Sequence, residues 1–217
     1  KQKRKSEMKA LQAQINPHFL YNTLDSIIWM SEAGENDQVV LMTSALAKLL
    51  RQSISNDREQ ITVAEEIDYV RSYLTIQKMR YKDKLEYTID VEERILDVRI
   101  IKFVLQPLVE NAIYHGLKYK ETKGNLDIRG YRRGNRVCLV VADDGAGMEE
   151  SELEHILEKK EKKTKSNGVG VYNVQKRLQL YYGAEYGISY ISRKGEGTVA
   201  TVTIPLDGGK SNEETGR

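Results

Sequence analysis

Downstream of Pro17, the apolar positions Leu20, Leu24 and Ile27 recur at helical spacing, and upstream of it Met8, Leu11 and Ile15 do the same. At about 100° per residue, the second stripe is rotated by roughly 140° from the first. The apolar face therefore changes sides at Pro17, where an interior proline removes a backbone hydrogen bond and favours a kink. His18 falls opposite the downstream stripe and is expected to stay exposed, with Asn22 on the same face one turn on. Residues 33–37, Ala-Gly-Glu-Asn-Asp, read as a turn, and Val39, Met42, Leu46, Leu49 and Ser53 mark a second amphipathic helix. Two such helices joined by a short turn predict an antiparallel hairpin. One hairpin buries too little to stand alone, which predicts dimerisation into a four-helix bundle. A third helix is predicted from Thr62, where Thr62-Val-Ala-Glu65 fits a capping box, and runs on through Ile67, Val70 and Leu74.

The period changes near Tyr81. Leu85, Tyr87, Ile89 and Val91 alternate as in a strand, and further strands are predicted near 125–132, 136–142, 186–193 and 198–204. Helices are predicted from Pro107 to Leu117 and near 150–158 and 169–182. Residues 159–168, Lys-Lys-Glu-Lys-Lys-Thr-Lys-Ser-Asn-Gly, read as a mobile charged loop, and the polar residues 207–217 as a disordered tail. The expected class is α+β: a dimerising helical region over residues 1–81, a mixed-sheet domain over 82–206, and a flexible tail over 207–217.

Composition narrows the function. The 217 residues carry a net charge of +2, too near neutral for a nucleic-acid footprint. The longest apolar run, residues 137–142, is far short of the 18 or so that a membrane span needs. Cys138 is the only cysteine, so no intramolecular disulfide can form and a reducing compartment is expected. The chain begins without methionine, already in a charged helical pattern, which reads as a fragment of something longer. The basic start, Lys1 to Lys5, could meet a membrane surface, but a solvated helix face is the plainer reading.

Four motifs carry candidate chemistry. In Asn16-Pro-His-Phe-Leu-Tyr-Asn22, an exposed helical histidine is by itself most often only a surface residue, although a neutral imidazole can attack a phosphoryl group. Leu105-Gln-Pro-Leu-Val-Glu-Asn-Ala-Ile-Tyr-His-Gly116 makes a sound amphipathic helix with proline at its start. Yet Glu110, Asn111 and His115 put polar groups into an apolar segment, and an amide carbonyl suits Mg²⁺ that bridges nucleotide phosphates. Val140-Val-Ala-Asp-Asp-Gly-Ala-Gly147 could be an ordinary strand-to-turn transition. An aspartate there could equally accept from an adenine amino group, with glycines letting backbone approach the ring. Gly168-Val-Gly-Val-Tyr-Asn-Val-Gln-Lys-Arg-Leu178 opens a helix whose free N–H groups could meet phosphates.

The first motif closely resembles the phosphoacceptor segment of sensor histidine kinases of the LytS/YesM type, and the other three resemble the nucleotide motifs of GHKL ATP-binding domains. The resemblance covers nearly all of the chain up to about residue 206, with the motifs in the same order. It implies that His18 is the phosphoacceptor and that Asn22 is the polar residue four positions on that many sensor kinases use in dephosphorylating their regulator. It further implies Asn111 as the Mg²⁺ ligand, and Glu110 and His115 are candidates for polar roles at the phosphates. Asp143 becomes the adenine ligand with Gly145 and Gly147 as motif glycines. Gly168 and Gly170 end the ATP lid, Asn173 and Arg177 serve phosphate contact or helix packing, and Thr198 contacts the adenine site.

The implied fold is a dimerising hairpin followed by an α/β sandwich with ATP between its helices under a flexible lid. The implied reaction transfers the γ-phosphoryl group of Mg²⁺-ATP to His18 and then to an aspartate on a response-regulator receiver domain. The implied setting is a homodimer on the cytoplasmic side of the plasma membrane, anchored through a region N-terminal to this one, with Pro17 as a hinge for the signal. Three departures stand out. Phe19 follows the histidine where many kinases place an acid, Asp144 stands where asparagine is usual, and Val171 replaces a commoner leucine. Pro107 occupies the place of the catalytic glutamate of Hsp90- and MutL-type ATPases, which disfavours water-activating hydrolysis. An anti-sigma serine kinase would lack the histidine-bearing hairpin, and a nucleotide-binding scaffold would leave His18 unphosphorylated.

Overall fold

The computed structural model describes residues 17–54, 58–118, 120–157 and 169–208. Two antiparallel helices, α1 (Pro17–Glu32) and α2 (Asn36–Ile54), form the expected hairpin. Helix α1 ends because Gly34 takes φ +75°. Its N–H then bonds the Ser31 carbonyl while Glu35 N–H reaches back to Met30, the two bonds of a Schellman close. The apolar stripe read from sequence is only partly the buried one. Phe19, Thr23 and Met30 face inward, Leu20 and Ile27 pack beside them, and Leu24 is 43% exposed. The cause is the third helix: the Phe19 ring lies 5.0 Å from that of Tyr73, so part of α1 is spent on a neighbour that the hairpin pattern alone does not locate. The apolar stripe upstream of Pro17, and with it the expected kink, lies outside the described residues.

Helix α3 (Val63–Tyr81) starts as predicted. Glu65 N–H donates to the Thr62 hydroxyl, and Thr62 N–H donates back to the Glu65 carboxylate. Its next two free N–H groups, of Val63 and Ala64, bond the carbonyls of Val98 and Leu96. That contact accompanies a ribbon the sequence did not reveal, in which β1 (Gln60–Thr62) pairs antiparallel with β3 (Arg99–Ile101). No helix among the described residues is long and apolar enough to cross a membrane.

The main sheet has the order β2-β4-β5-β7-β6, with β2 (Leu85–Val91), β4 (Gly124–Arg133), β5 (Arg136–Asp143), β6 (Gly187–Arg193) and β7 (Gly197–Pro205). β2 runs parallel to β4 and the other pairs are antiparallel, giving the expected mixed sheet. On one face Leu126, Ile128, Leu139, Val141, Val202, Ala200 and Ile188 alternate inward, as the period of two requires. They pack under α3, the short α4 (Gln106–Asn111) and α6 (Val169–Tyr182), while the six-residue α5 (Glu150–His155) lies against β6. One contiguous core runs from Phe19 in the hairpin to Ile204 in β7. Asp207 and Gly208, assigned by sequence to the tail, are held at the ribbon, where Gln60 Nε2 donates to the Gly208 carbonyl at 2.7 Å.

The expected single helix from Pro107 to Leu117 changes pitch. After Asn111 the chain takes π-type geometry over Ala112–Leu117. Lys118 N–H bonds the carbonyl of Ile113 five residues back. π-turns of this kind concentrate at functional sites, and this one delivers Gly116 to the end of β5.

Candidate functional site

Asp143 is the last residue of β5, and four glycines surround it closely. A Cβ on Gly116 would stand 2.4 Å from Asp143 Oδ1, one on Gly145 2.1 Å from the Gly116 carbonyl, and one on Gly197 2.0 Å from the Asp143 carbonyl. A Cβ on Gly147, which has φ +63°, would meet the Arg193 carbonyl at 1.9 Å. No other residue fits these places. Backbone bonds close the cradle: Ala146 N–H donates to Gly116 O at 2.9 Å and Gly195 N–H to Ala146 O at 2.7 Å. Gly145 N–H donates to Asp143 Oδ1 at 2.9 Å.

Burial pushes the Asp143 carboxyl up to about 6, against the bond from Gly145, and the neighbouring Asp144 charge adds to the rise. Asp144 itself turns away from the cleft. It accepts from Asn125 N–H at 2.8 Å and Asn125 Nδ2 at 2.7 Å, and pairs with Lys120 at 2.7 Å. Burial opposes its ionisation, but those partners hold it below the usual carboxylate range. An acidic residue in this place therefore ties β5 to the start of β4.

Beside Asp143 opens a cleft of about 550 Å³. Leu108, Val141, Met148, Ile156 and Ala200 give it apolar walls, and Asn111, His115, Asp143 and Thr198 give it polar points. Thr198 stands across the β5/β7 register from Asp143. Its hydroxyl is fixed by Ser192 Oγ at 2.8 Å, which also accepts from Met148 N–H and donates to Gly197 O. Sequence reasoning missed Ser192 and Tyr190, both one strand away from any motif. The alternation of β6 could have placed them on the inner face.

The cleft thus gathers Asn111 and His115 from one motif, Asp143 and Gly147 from another, and Thr198 from β7, with Gly145 buried just beneath. Other expected residues fall elsewhere. Gly170 and Asn173 sit on the first turns of α6 and are not among the lining residues, and Gly168 lies outside the described residues together with the loop 158–168. Glu110 does not face the cleft: burial raises its carboxyl, and it accepts from Gln106 Nε2 at 2.8 Å on the side toward Tyr69 and Tyr73. Glu110 shares a face of α4 with Gln106 one turn back, and that face meets the tyrosines of α3, while the π-turn beyond Asn111 brings His115 and Gly116 to the β5 end. Of the two roles held open for Arg177, packing is the observed one: it is buried and donates to the carbonyls of Lys102 and Phe103.

His18 and Asn22 occupy a different surface. His18 is exposed on α1, and Asn22 Nδ2 lies 3.0 Å from its Nδ1. With the amide donating, Nδ1 holds the lone pair and the ring proton sits on Nε2; the flipped amide exchanges them. No cleft-lining residue comes from α1.

The shape and donors of the cleft fit a nucleotide. Apolar walls suit a purine ring, Asp143 keeps acceptor capacity beyond its bonds from the backbone of Gly145 and Thr198, and the glycines leave room for backbone approach. For a metal the protein supplies little. Among the described residues no group of three or more His, Cys, Asp or Glu could hold an ion. Asn111 would offer a hard oxygen to Mg²⁺, which commonly completes its shell with phosphate and water oxygens.

Comparison with known proteins agrees with this layout. The profile of the family described as Histidine kinase matches residues 6–85. That of the Histidine kinase-, DNA gyrase B- and HSP90-like ATPases matches residues 96–208. Sensor histidine kinase YesM of Bacillus subtilis is 39% identical over 93% of this chain and 34% of its own length. Sensor histidine kinase BtsS of Escherichia coli is 32% identical over 92% of this chain and 33% of its own. Sensor protein LytS of Oceanobacillus iheyensis is 33% identical over 93% of this chain and 35% of its own. The chain spans about a third of the length of these relatives. Among solved structures, the catalytic domain of the histidine kinase ThkA aligns with a TM-score of 0.53 at 19% identity, over 68% of this chain and 96% of that one. The histidine kinase domain of a blue-light activated kinase from Erythrobacter litoralis aligns with a TM-score of 0.51 at 15% identity, over 94% of both chains. At such identities these two likenesses show the fold alone.

Proposed function

The chain belongs to the histidine kinase family, and from that premise we propose that it binds Mg²⁺-ATP in the Asp143 cleft and autophosphorylates on His18. The observation that carries the reading is the glycine cradle, which spends four side-chain positions to hold one half-buried carboxylate at an apolar cleft. Asp143 accepts from the adenine amino group, Thr198 supports it, and the apolar walls exclude water from the ring. Asn111 holds Mg²⁺, whose chemistry is to neutralise the phosphates. A ring nitrogen of His18 attacks the γ-phosphorus. A nitrogen–phosphorus bond forms, the bond to the bridging oxygen breaks, ADP leaves, and the ring proton passes to solvent. The phosphoryl group then goes to an aspartate of a receiver domain, and Asn22, already in contact with the imidazole, orients the water that later removes it there. Such a transfer depends on positioning and charge neutralisation, so the cleft has to swing to a histidine on another surface.

The exposed apolar face of the hairpin, with Tyr21, Leu24, Ile28 and Trp29 on α1 and Val40 and Leu41 on α2, supports a homodimer. A preceding region would anchor that dimer to the cytoplasmic side of the plasma membrane.

Incubation with Mg²⁺ and γ-labelled ATP tests the acceptor. Acid-labile, alkali-stable label on the wild type and none on His18→Gln is expected. Label persisting in His18→Gln would assign another acceptor. Asn22→Ala is expected to keep the label and lose dephosphorylation of the regulator; full phosphatase activity in that variant would remove the role given to Asn22.

A further inference from the structure

The backbone enters α4 through a turn held by two buried charged side chains: Glu66, which belongs to no nucleotide motif, and Arg177, from the end of the fourth motif. Glu66, on the first turns of α3, is fully buried. Its carboxylate accepts three consecutive amides: Phe103 N–H on Oε2 at 3.0 Å, and Val104 and Leu105 N–H on Oε1 at 2.7 and 2.8 Å. From the opposite side Arg177 of α6 donates to the carbonyls of Lys102 and Phe103. Between them Phe103 takes φ +56°, a conformation that a bulky residue with a Cβ avoids unless its surroundings impose it. The amides that Glu66 takes are those lying just before Gln106, where α4 begins, and α4 carries Asn111 five residues later.

We infer that Glu66 is a positioning residue for the cleft: it fixes the turn into α4 and thereby the place of Asn111, with Arg177 holding the same turn against α6. The reading rests on the cleft being the nucleotide site. Its physical content is that α3 cannot shift along its axis without drawing three amides, the strained Phe103 and the Asn111 helix with it. A buried carboxylate capping a run of free N–H groups is strong because the bonds are charge-assisted and no water competes for them. Since α3 also packs on α2 of the hairpin, the clamp makes α3 and the cleft move as one when the cleft swings relative to the hairpin. A purely architectural pair of backbone anchors would serve stability alone, whereas this one should set nucleotide affinity.

The test uses Glu66→Gln, which keeps the shape but turns an amide donor against one of the three N–H donors. The control is Ile76→Val, a fully buried change elsewhere on α3. Each is studied well below its own unfolding temperature. Two quantities are read: the dissociation constant for a fluorescent ATP analogue with Mg²⁺, and hydrogen exchange of amides 103–111 in the nucleotide-free protein. Glu66→Gln is expected to weaken binding about tenfold, as loss of a supporting contact behind a ligand commonly does, and to speed exchange in that segment, while Ile76→Val changes neither. If Glu66→Gln does not fold, Arg177→Lys, which keeps the charge but loses the fork, is expected to give the same pattern at smaller size. Unchanged affinity in the folded Glu66 or Arg177 variant, with the wild type binding normally, overturns the inference alone. A wild type that binds no nucleotide overturns the reading of the cleft and this inference with it.

Discussion

Around Asp143 the chain has given up side chains to make a fixed place: four glycines, two backbone bonds and a partnered Asp144 leave the carboxylate one orientation. Around His18 nothing comparable is built. The imidazole is exposed on a helix, with the Asn22 amide beside it one turn away. The contrast teaches how the labour of a phosphoryl transfer can be divided. On the proposed reading, the nucleotide site is organised before its ligand arrives, while the acceptor is left open to whatever is brought to it. Removing a group from the first region should therefore abolish binding, and removing one from the second should abolish only transfer. Asp143→Ala is expected to weaken the fluorescent nucleotide by about 100-fold, the scale of a lost charged hydrogen bond in a desolvated site. His18→Gln should bind like the wild type. Equal losses in the two variants would mean that the two surfaces are not separate.

The same contrast can be put to backbone. Gly145→Ala would drive a Cβ to 2.1 Å from the Gly116 carbonyl, so main chain has to move. Gly34→Ala, in the hairpin turn, meets nothing within 4 Å and suffers only its φ of +75°. Chemical denaturation should show Gly145→Ala losing about 3 kcal/mol or more and Gly34→Ala about 1 kcal/mol. A smaller loss at Gly145 than at Gly34 would mean that the cradle is looser than its distances.

How much of this could be read beforehand differs between the regions for a physical reason. The cleft was legible because its chemistry is local: Asp143, Gly145 and Gly147 sit within five residues, and Asn111, His115 and Gly116 on one turn and a half. The capping box at Thr62 and the alternating strands were legible on the same ground. What escaped depends on residues far apart in sequence. Glu66 meets amides 37 to 39 residues away, and the β1/β3 ribbon pairs three residues with three across a similar gap. The buried side of α1 was shifted by a helix whose docking no hairpin periodicity encodes. The π-turn escaped because a pitch change leaves no mark on a short apolar pattern.

Titration sharpens the comparison further, because the cleft carries a shifted acid. Burial raises Asp143 from 3.8 to about 6. A carboxyl raised in the folded state contributes stability that is present below its unfolded value and lost as pH rises through about 6. Nucleotide binding runs the other way, since the ionised form is the better acceptor for an amino group. Affinity measured between pH 5 and 8 is expected to fall as pH drops through about 6, by up to about tenfold per unit below it, while the nucleotide-free protein gains stability from this group over the same range. A flat affinity profile would show that Asp143 is not the acceptor.

The finest test concerns the neighbour that adds to this rise. Asp144 stands where asparagine is usual, and its charge disfavours ionisation of Asp143. Asp144→Asn keeps an oxygen for Asn125 N–H but gives up the charge paired with Lys120. That pair is partly exposed, so its loss should cost under about 1 kcal/mol in unfolding measurements. Lys120, which favours the ionised Asp143, is then left without its nearer competitor. Both changes act in one direction: the midpoint of the affinity profile should move to lower pH by a fraction of a unit. A midpoint that stays put would place the titrating group beyond the reach of residue 144, and one that rises would mean that the cleft senses Asp144 through structure rather than charge. The expected shift would instead show that an acid in this position trades some ionisation of the nucleotide ligand for a firmer join between β4 and β5.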